Sequence, residues 1–254
     1  MNKKKKITVL IPCHNEEKGI GKVIDEIPVK RLKRLGYITE VIVINNKSTD
    51  RTAHVAQSRG AYVLVEFRKG KGQALLAGFN AVSSDTSYVV MLDGDNTYKA
   101  KEMYRLIEPL ESNFCHAVVG SRLSGKMKHN SLKFSNRVAN WVYTFLVRQF
   151  YRANVTDVLS GYFAWKKEVI DDLKHHIEST DFAIEMDIIT KMVKLGHEVY
   201  SVPITYDVRE GKSKISAFED GVRIFYVLFK NLFWIPKKTQ HIKNQLTYTS
   251  KSSA

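Results

Sequence analysis

The sequence predicts an α/β fold, a Rossmann-like and mostly parallel sheet flanked by helices, with amphipathic helices towards the C-terminus. Three observations predict it. Short β-branched runs alternate with helical stretches through the first half of the chain, as a parallel sheet with crossover helices requires. Several of those runs end in polar clusters, and open α/β sheets bind ligands at that edge. The 254 residues, 44% of them hydrophobic, suffice for one substantial core.

Strands are expected at Ile7 to Ile11, Val41 to Ile44, Ala61 to Val65, Tyr88 to Leu92 and Ala117 to Val119. Between them, Glu16 to Ile27, Arg51 to Arg59, Gln73 to Val82 and Lys101 to Leu110 carry helical spacing, and Asp50 is placed to cap the second. The strand ends read Pro12 to Glu16, Asn45 to Asp50 and Asp93 to Asn96, all polar and all on one edge.

Beyond Gly120 the character changes. No Asp or Glu occurs between Glu111 and Asp157, while Arg122, Lys126, Lys128, Lys133, Arg137, Arg148 and Arg152 do. Within this stretch Phe134, Val138, Trp141, Val142, Phe145 and Leu146 recur at helical spacing, opposite Lys133, Arg137, Asn140, Thr144 and Arg148. That pattern is an amphipathic helix with a basic face. A second aromatic-rich stretch runs from Phe218 to Trp234, and the tail after Pro236 is basic and without acids.

Lys and Arg total 40 against 26 Asp and Glu, and the formal charge of +14 favours a polyanionic partner: nucleic acid, anionic membrane or phosphorylated substrate. Cys13 and Cys115 form no CxxC or Cys/His cluster, which argues against a disulfide framework or zinc site and for a reducing, cytoplasmic setting. The apolar run after Lys3 to Lys6 breaks at Pro12, too short for a signal-peptide core. Charge soon interrupts the runs Val138 to Val147 and Ile224 to Phe229, so no membrane-spanning helix is expected.

Asp93-Gly94-Asp95 is the centre of the chemistry. Two carboxylates one residue apart at a strand end can share a divalent cation that also grips a diphosphate, and oxygen ligands suit Mg²⁺ or Mn²⁺. An Asp-x-Asp triplet alone is also ordinary turn composition. Its place after the strand Tyr88 to Leu92, beside two other polar strand ends, favours the functional reading.

Seven segments in order, VLIPCHNEE, NNKSTDRT, KGKGQALLAGF, MLDGDNTY, VVGSRL, DVLSGYFAWKKEVI and VPITYDVREGKSKI, resemble glycosyltransferase family 2 with its GT-A fold. Within it they are most similar to the dolichyl-phosphate mannose synthase group of polyprenyl-phosphate sugar transferases. The resemblance covers roughly Ile7 to Ile215. The implied organisation is a basic tail over 1–6 and a GT-A domain over 7–215 with its interfacial helix near 132–152. A C-terminal aromatic-rich helix over 216–236 and a basic flexible tail over 237–254 follow.

The resemblance implies site roles as well. Pro12, His14, Glu16, Asn45, Ser48, Lys71, Gly72, Asp93 and Gly94 would hold the nucleotide, with Asp50 nearby, and Asp93 and Asp95 the metal. Arg122, Lys133, Arg209 and Lys214 would meet the phosphates of donor and acceptor, and Asp95, Asp157 and Glu185 would be the catalytic carboxylates. Asp157 and Glu185 are candidates to orient the acceptor or act as base, and Glu185 could equally be an exposed helix residue. The implied reaction is an inverting transfer of a hexose or N-acetylhexosamine from a nucleotide-diphosphate sugar to dolichyl or polyprenyl phosphate. It would take place at the cytoplasmic face of an anionic membrane by peripheral association, with a homodimer kept open.

Two departures matter. Asn45 stands where the family usually has Asp, and an amide offering donor and acceptor together suits uracil, which favours UDP over GDP. His14 replaces a common Tyr, which weakens the expectation of base stacking there. Three rival readings remain: a family 2 transferase with a polysaccharide or other soluble acceptor, a sugar-phosphate nucleotidyltransferase, and a basic nucleic-acid-binding protein. SGYFAWKKEVI and REGKSKI oppose the first, the absence of a Gly-rich N-terminal signature loop opposes the second, and no nucleic-acid-binding motif supports the third.

Overall fold

The structure, a computed structural model, describes residues 4–210 and 217–236. Lys214 and the expected tail over 237–254 lie outside these residues.

The five expected strands form: β1 Lys5–Cys13, β2 Tyr37–Asn46, β3 Tyr62–Glu66, β4 Thr86–Met91 and β5 Ala117–Met127. Two more, β6 Phe163–Lys166 and β7 Val199–Tyr206, complete a seven-stranded sheet of order β3-β2-β1-β4-β6-β5-β7. Pairing is parallel except on the two sides of β6. Proline lacks the ladder N–H, and Pro203 is accommodated because β7 is the edge strand.

Nine α-helices are seen among the described residues: α1 Ile20–Glu26, α2 Val29–Arg34, α3 Thr52–Ser58, α4 Lys71–Ala81, α5 Met103–Glu111, α6 Phe134–Tyr151, α7 Lys167–Leu173, α8 Ile184–Lys194 and α9 Ala217–Phe233. They lie on both faces of the sheet. Val9 and Ile11 of β1 pack towards α1, α2, α3 and α5, while Leu10 packs towards α4 and α6 to α9. Burial on both faces is why the strands read as continuous apolar runs instead of alternating ones. Within β6, Trp165 stacks on Phe163 at 5.0 Å and meets Phe79 of α4 edge-on at 5.6 Å, which fixes this short strand in the core.

Asp50 does not take the expected N-cap position: the helix begins at Thr52 with Arg51 as its N-cap, and Asp50, one residue earlier, joins two loops instead. One carboxylate oxygen accepts the Thr52 amide at 2.9 Å, and the other takes the Glu17 amide at 3.1 Å, tying the loops after β1 and β2 together.

The amphipathic helix α6 forms, but its faces point the opposite way from a helix packed by its apolar side. Phe134 is 80% and Trp141 63% exposed, whereas Asn140, Thr144, Val147 and Tyr151 are buried. Helix α9 repeats this: Phe218, Val222, Phe225 and Tyr226 face outward, and Asp220, Ile224, Leu228 and Asn231 face inward. The two helices join side by side, Tyr143 donating to the carbonyl of Gly221 at 2.9 Å and Tyr151 donating to that of Leu228. None of the described helices is long and apolar enough to cross a membrane.

Candidate active site

In the sheet, β2 and β3 lie on one side of β1 and β4 on the other, so the chain reverses direction of winding between β1 and β4. Crevices form outside the carboxyl ends of strands at such a point. A cavity of about 430 Å³ opens there. Pro12, His14 and Glu16 reach it from the end of β1, Asp93 to Asp95 from the end of β4, and Lys69 to Lys71 from the start of α4. Arg122 of β5, Glu185 of α8 and Arg209, just beyond β7, complete the polar floor, and α6 and α9 form the outer wall.

Lys71, Arg122 and Arg209 in this floor are each held by carboxylates. The Lys71 ammonium lies 2.7 Å from Asp93 Oδ1 and 2.6 Å from Glu185 Oε1. Burial works against its charge, but Asp93 and Glu185 more than offset this and raise Lys71 above its ordinary value. Burial also raises Glu185, against the pull of Lys71. Arg209 places Nη2 2.6 Å from Glu16 Oε1 and Nη1 3.0 Å from Asp95 Oδ2. It is delivered by backbone bonds that stitch the segment beyond β7 to the acidic turn, Asp207 N to Thr97 O and Glu210 N to Asp95 O. Burial and the neighbouring Asp93 raise Asp95, while Arg209 and the Thr97 hydrogen bonds hold it back.

Arg122 is fixed differently. Its backbone N and Nε donate to Asp157 Oδ2 at 2.9 and 2.8 Å, and Nη2 donates to Asp157 Oδ1 at 2.9 Å and to the carbonyl of Leu159 at 2.7 Å. Asn140 of α6 adds a further bond to Asp157 Oδ1 at 2.6 Å. Burial opposes the Asp157 charge, yet Arg122 and these bonds keep its carboxyl below the ordinary range. The guanidinium also sits 5.3 Å over the Tyr206 ring.

The profile of glycosyl transferase family 2 matches residues 8–174. The chain belongs to this family. It is 33% identical over 232 residues to glycosyltransferase AglJ of Haloferax volcanii, covering 88% of this chain and 71% of that protein. It is 28% identical over 218 residues to the dolichyl-phosphate hexose transferase of the same organism, covering 86% and 90%. The fold matches that of glucosyl-3-phosphoglycerate synthase from Mycobacterium tuberculosis, in complex with Mn²⁺, UDP and phosphoglyceric acid, with a TM-score of 0.70. That likeness covers 92% of this chain and 80% of the other at 24% identity. The architecture is the GT-A fold of family 2 glycosyltransferases.

Of the residues expected at the site of this family 2 transferase, Pro12, His14, Glu16, Lys71, Asp93, Gly94, Asp95, Arg122, Glu185 and Arg209 line the one cavity. Glu185 is a buried cavity residue, not an exposed helix position. Asn45, Ser48, Gly72 and Lys133 do not line it. Gly72 acts from behind: a Cβ there would come 2.0 Å from the carbonyl of Ser179, so its absence lets the Lys71 loop close against the 179–180 backbone. Asp157 does not line the cavity: it is fully buried, and both its oxygens are occupied by Arg122 and Asn140.

Asn46, which the motif reading passed over for Asn45, ties together the loops after β1 and β3. Its Nδ2 donates to the carbonyls of Glu66 and Arg68, its Oδ1 accepts the Gly70 amide, and its carbonyl pairs with His14 Nδ1. Parity along β2 puts Asn46 on the α4 side of the sheet with Ile42 and Ile44, and Asn45 on the other side with Val43; both sides are buried, so alternation alone does not separate the two. Gly161 was also unassigned. A Cβ there would lie 2.4 Å from Asp93 Oδ2, so Gly161→Ala is expected to shift that carboxylate and lower transfer about tenfold or more. Steady-state rates on a variant shown to be folded by circular dichroism check this.

No group of three or more His, Cys, Asp or Glu suited to a metal is found among the described residues. A cation held by two carboxylates and shared with substrate phosphates, the usual habit of Mg²⁺, needs no such group. The lone pairs allow it: Asp95 Oδ1 is taken by Thr97 N and Oγ1, but Oδ2 receives only Arg209, and Asp93 receives Lys71 on Oδ1. The residues present therefore fit a divalent cation between Asp93 and Asp95.

Proposed function

We propose that this family 2 glycosyltransferase moves a hexose or N-acetylhexosamine, with inversion, from a nucleotide-diphosphate sugar to a polyprenyl or dolichyl phosphate at an anionic membrane surface. One observation carries the reading: a phosphate-suited cavity is roofed by two helices whose apolar faces point away from the protein. Outward aromatic faces flanked by exposed Lys133, Arg137, Arg148 and Lys230 match a helix pair lying in the headgroup region of an anionic bilayer. The cavity then opens next to the surface from which a lipid acceptor would enter.

Asp93 and Asp95 would hold Mg²⁺ or Mn²⁺, which supplies charge stabilisation to the leaving diphosphate. Lys71 and Arg209 exchange their carboxylate partners in part for donor phosphates, and Arg122, held rigid by Asp157, orients the acceptor phosphate. The acceptor oxygen attacks the anomeric carbon as the bond to the nucleoside diphosphate breaks. A phosphate monoester has its second pKa near ~6, so at neutral pH little proton removal is needed, and Glu185 serves to orient rather than deprotonate. A preference for UDP over GDP rests on the amide of Asn45, whose Oδ1 accepts the Ser48 amide at 3.3 Å and which lies outside the cavity lining, so the base would extend beyond the cavity to meet it.

A second reading has its own support. The structurally similar synthase was solved with phosphoglyceric acid, and an arginine-held phosphate site would accept a soluble phosphate too. One experiment separates them. UDP- and GDP-sugars are supplied with Mn²⁺ and either undecaprenyl phosphate in anionic vesicles or 3-phosphoglycerate, and products are identified by mass. The expected result is a glycolipid from a UDP-sugar, with vesicle association that weakens as salt rises. Product only from phosphoglycerate, or tighter binding of GDP than UDP, overturns the acceptor or the donor half respectively.

A further inference from the structure

The two outward-facing helices share an oddity on their inner sides. Each buries one asparagine, Asn140 on α6 and Asn231 on α9, both 1% exposed. A helix needing only to dock would do so with an apolar side chain, since a buried amide gains little unless its hydrogen bonds are satisfied. Here each amide donates to a buried aspartate, Asn140 Nδ2 to Asp157 Oδ1 at 2.6 Å and Asn231 Nδ2 to Asp187 Oδ1 at 2.8 Å.

The two aspartates serve different halves of the site. Asp157 holds Arg122 through its backbone and guanidinium. Asp187 takes Lys191 and Asn231 on Oδ1, and on Oδ2 the amides of Glu178 and Ser179, each at 2.9 Å. The next residue, Thr180, accepts the Gly72 amide at 3.1 Å, and a Cβ at Gly70 would come 2.0 Å from that same carbonyl. Lys71 is thereby clasped between Gly70 and Gly72 and aimed at Asp93 and Glu185. Asp187 and Glu185 are two residues apart on α8, about 200° around the helix, so one turn faces both the cavity and α9.

We propose that Asn140 and Asn231 are positioning residues, each setting one substrate's half of the site from a surface helix. Asn140 acts through Asp157 on Arg122 and so on the acceptor phosphate. Asn231 acts through Asp187 and the 178–180 backbone on the Lys71 loop and so on the donor. This rests on the reading above, in which Arg122 meets the acceptor and Lys71 the donor diphosphate. A pair that merely fastened the helices would weaken both substrates alike when removed.

The test uses the full chain with Asn140→Leu and Asn231→Leu, near-isosteric changes that remove the donor. UDP with Mn²⁺ is titrated by calorimetry, and KM is measured for undecaprenyl phosphate with the nucleotide sugar the wild type uses best. Asn140→Leu is expected to raise acceptor KM about tenfold with UDP affinity changed less than about twofold. Asn231→Leu should do the reverse, each by the size of one charge-assisted hydrogen bond. Where thermal denaturation shows a leucine variant unfolded, Asn140→Ser or Asn231→Ser, smaller and still polar, is expected to show the same split at lower amplitude. Equal loss of both substrates in folded variants, or no loss in either, overturns the proposal. A wild type that binds UDP but transfers to no polyprenyl phosphate sinks the acceptor reading and the Asn140 half with it. An active wild type whose variants show no split sinks the positioning roles alone.

Discussion

Replacing Asp93 or Asp95 with asparagine is expected to reduce sugar transfer about a thousandfold, the scale lost when a principal electrostatic stabiliser of a transition state is removed. The two substitutions should differ in their side effects. Asp93→Asn takes one carboxylate from Lys71 but leaves it Glu185 at 2.6 Å, so the fold should hold. Asp95→Asn removes a buried acid that takes Thr97 on one oxygen and Arg209 on the other, leaving Arg209 with Glu16 alone, so a modest loss of stability accompanies the loss of rate. Calorimetric titration of UDP with and without Mn²⁺ provides a readout independent of turnover. Wild-type affinity should rise on adding Mn²⁺, and in both variants that rise should vanish. A wild type indifferent to divalent ions in both binding and rate would remove the ground for giving this turn a metal.

The ligand edge of the sheet is legible in the sequence because parallel strands buried on both faces must be apolar until they leave the sheet. Cys13, Asn46 and Leu92 therefore mark where chemistry can begin. β6 is less legible. Its four residues, Phe163 to Lys166, carry no length signal, and their place is set by Trp165, which stacks on Phe163 and meets Phe79 of α4, far away in sequence, edge-on. Pro203 obscures β7, since proline argues against a strand until it is known that the strand lies at an edge.

Within the site, residue type was readable but partnership was not. The choice between Asn45 and Asn46 turns on which of them meets the 66–70 loop, which a motif does not state. Asp157 and Glu185 look equivalent as acids ahead of the structure. The fold surrounds one with Arg122 and Asn140 and turns the other into the cavity beside Lys71. The helical repeat of α6 likewise separates two faces without saying which one is inward. Asn140 and Thr144 go in because Asp157 and the Val158 amide offer them hydrogen bonds, at 2.6 and 3.3 Å, and the aromatic face is left outside.

Breaking the Arg122–Asp157 pair should cost both stability and rate, and the two losses can be separated. Asp157→Leu alone leaves a buried guanidinium without its carboxylate, and removing one partner of a buried pair typically costs about 3–5 kcal/mol. Arg122→Met strands the carboxylate instead, with only the residue-122 backbone amide and Asn140 still donating to it, and should cost a similar amount. The double variant Arg122→Met, Asp157→Leu removes both charges together and should recover part of that stability, because an apolar pair replaces an ion pair whose desolvation consumed much of its attraction, while Asn140 Nδ2 and the residue-122 amide lose their acceptor. Transfer should stay low in all three: Arg122→Met and the double variant have no cation at this place to meet an acceptor phosphate, and Asp157→Leu keeps Arg122 without the carboxylate that aims it. Urea denaturation and acceptor KM, measured on the same preparations, give the two axes. Acid adds a further check. The folded state holds Asp157 below its ordinary pKa, so unfolding takes up a proton once the pH falls under about 4. The stability this group contributes is complete above that range and is lost as pH drops towards the lowered folded value. The wild type should show that contribution to its acid slope and the double variant should lack it. Were the double variant to regain transfer along with stability, Arg122 would be a structural residue and the acceptor phosphate would have to be held elsewhere in the cavity.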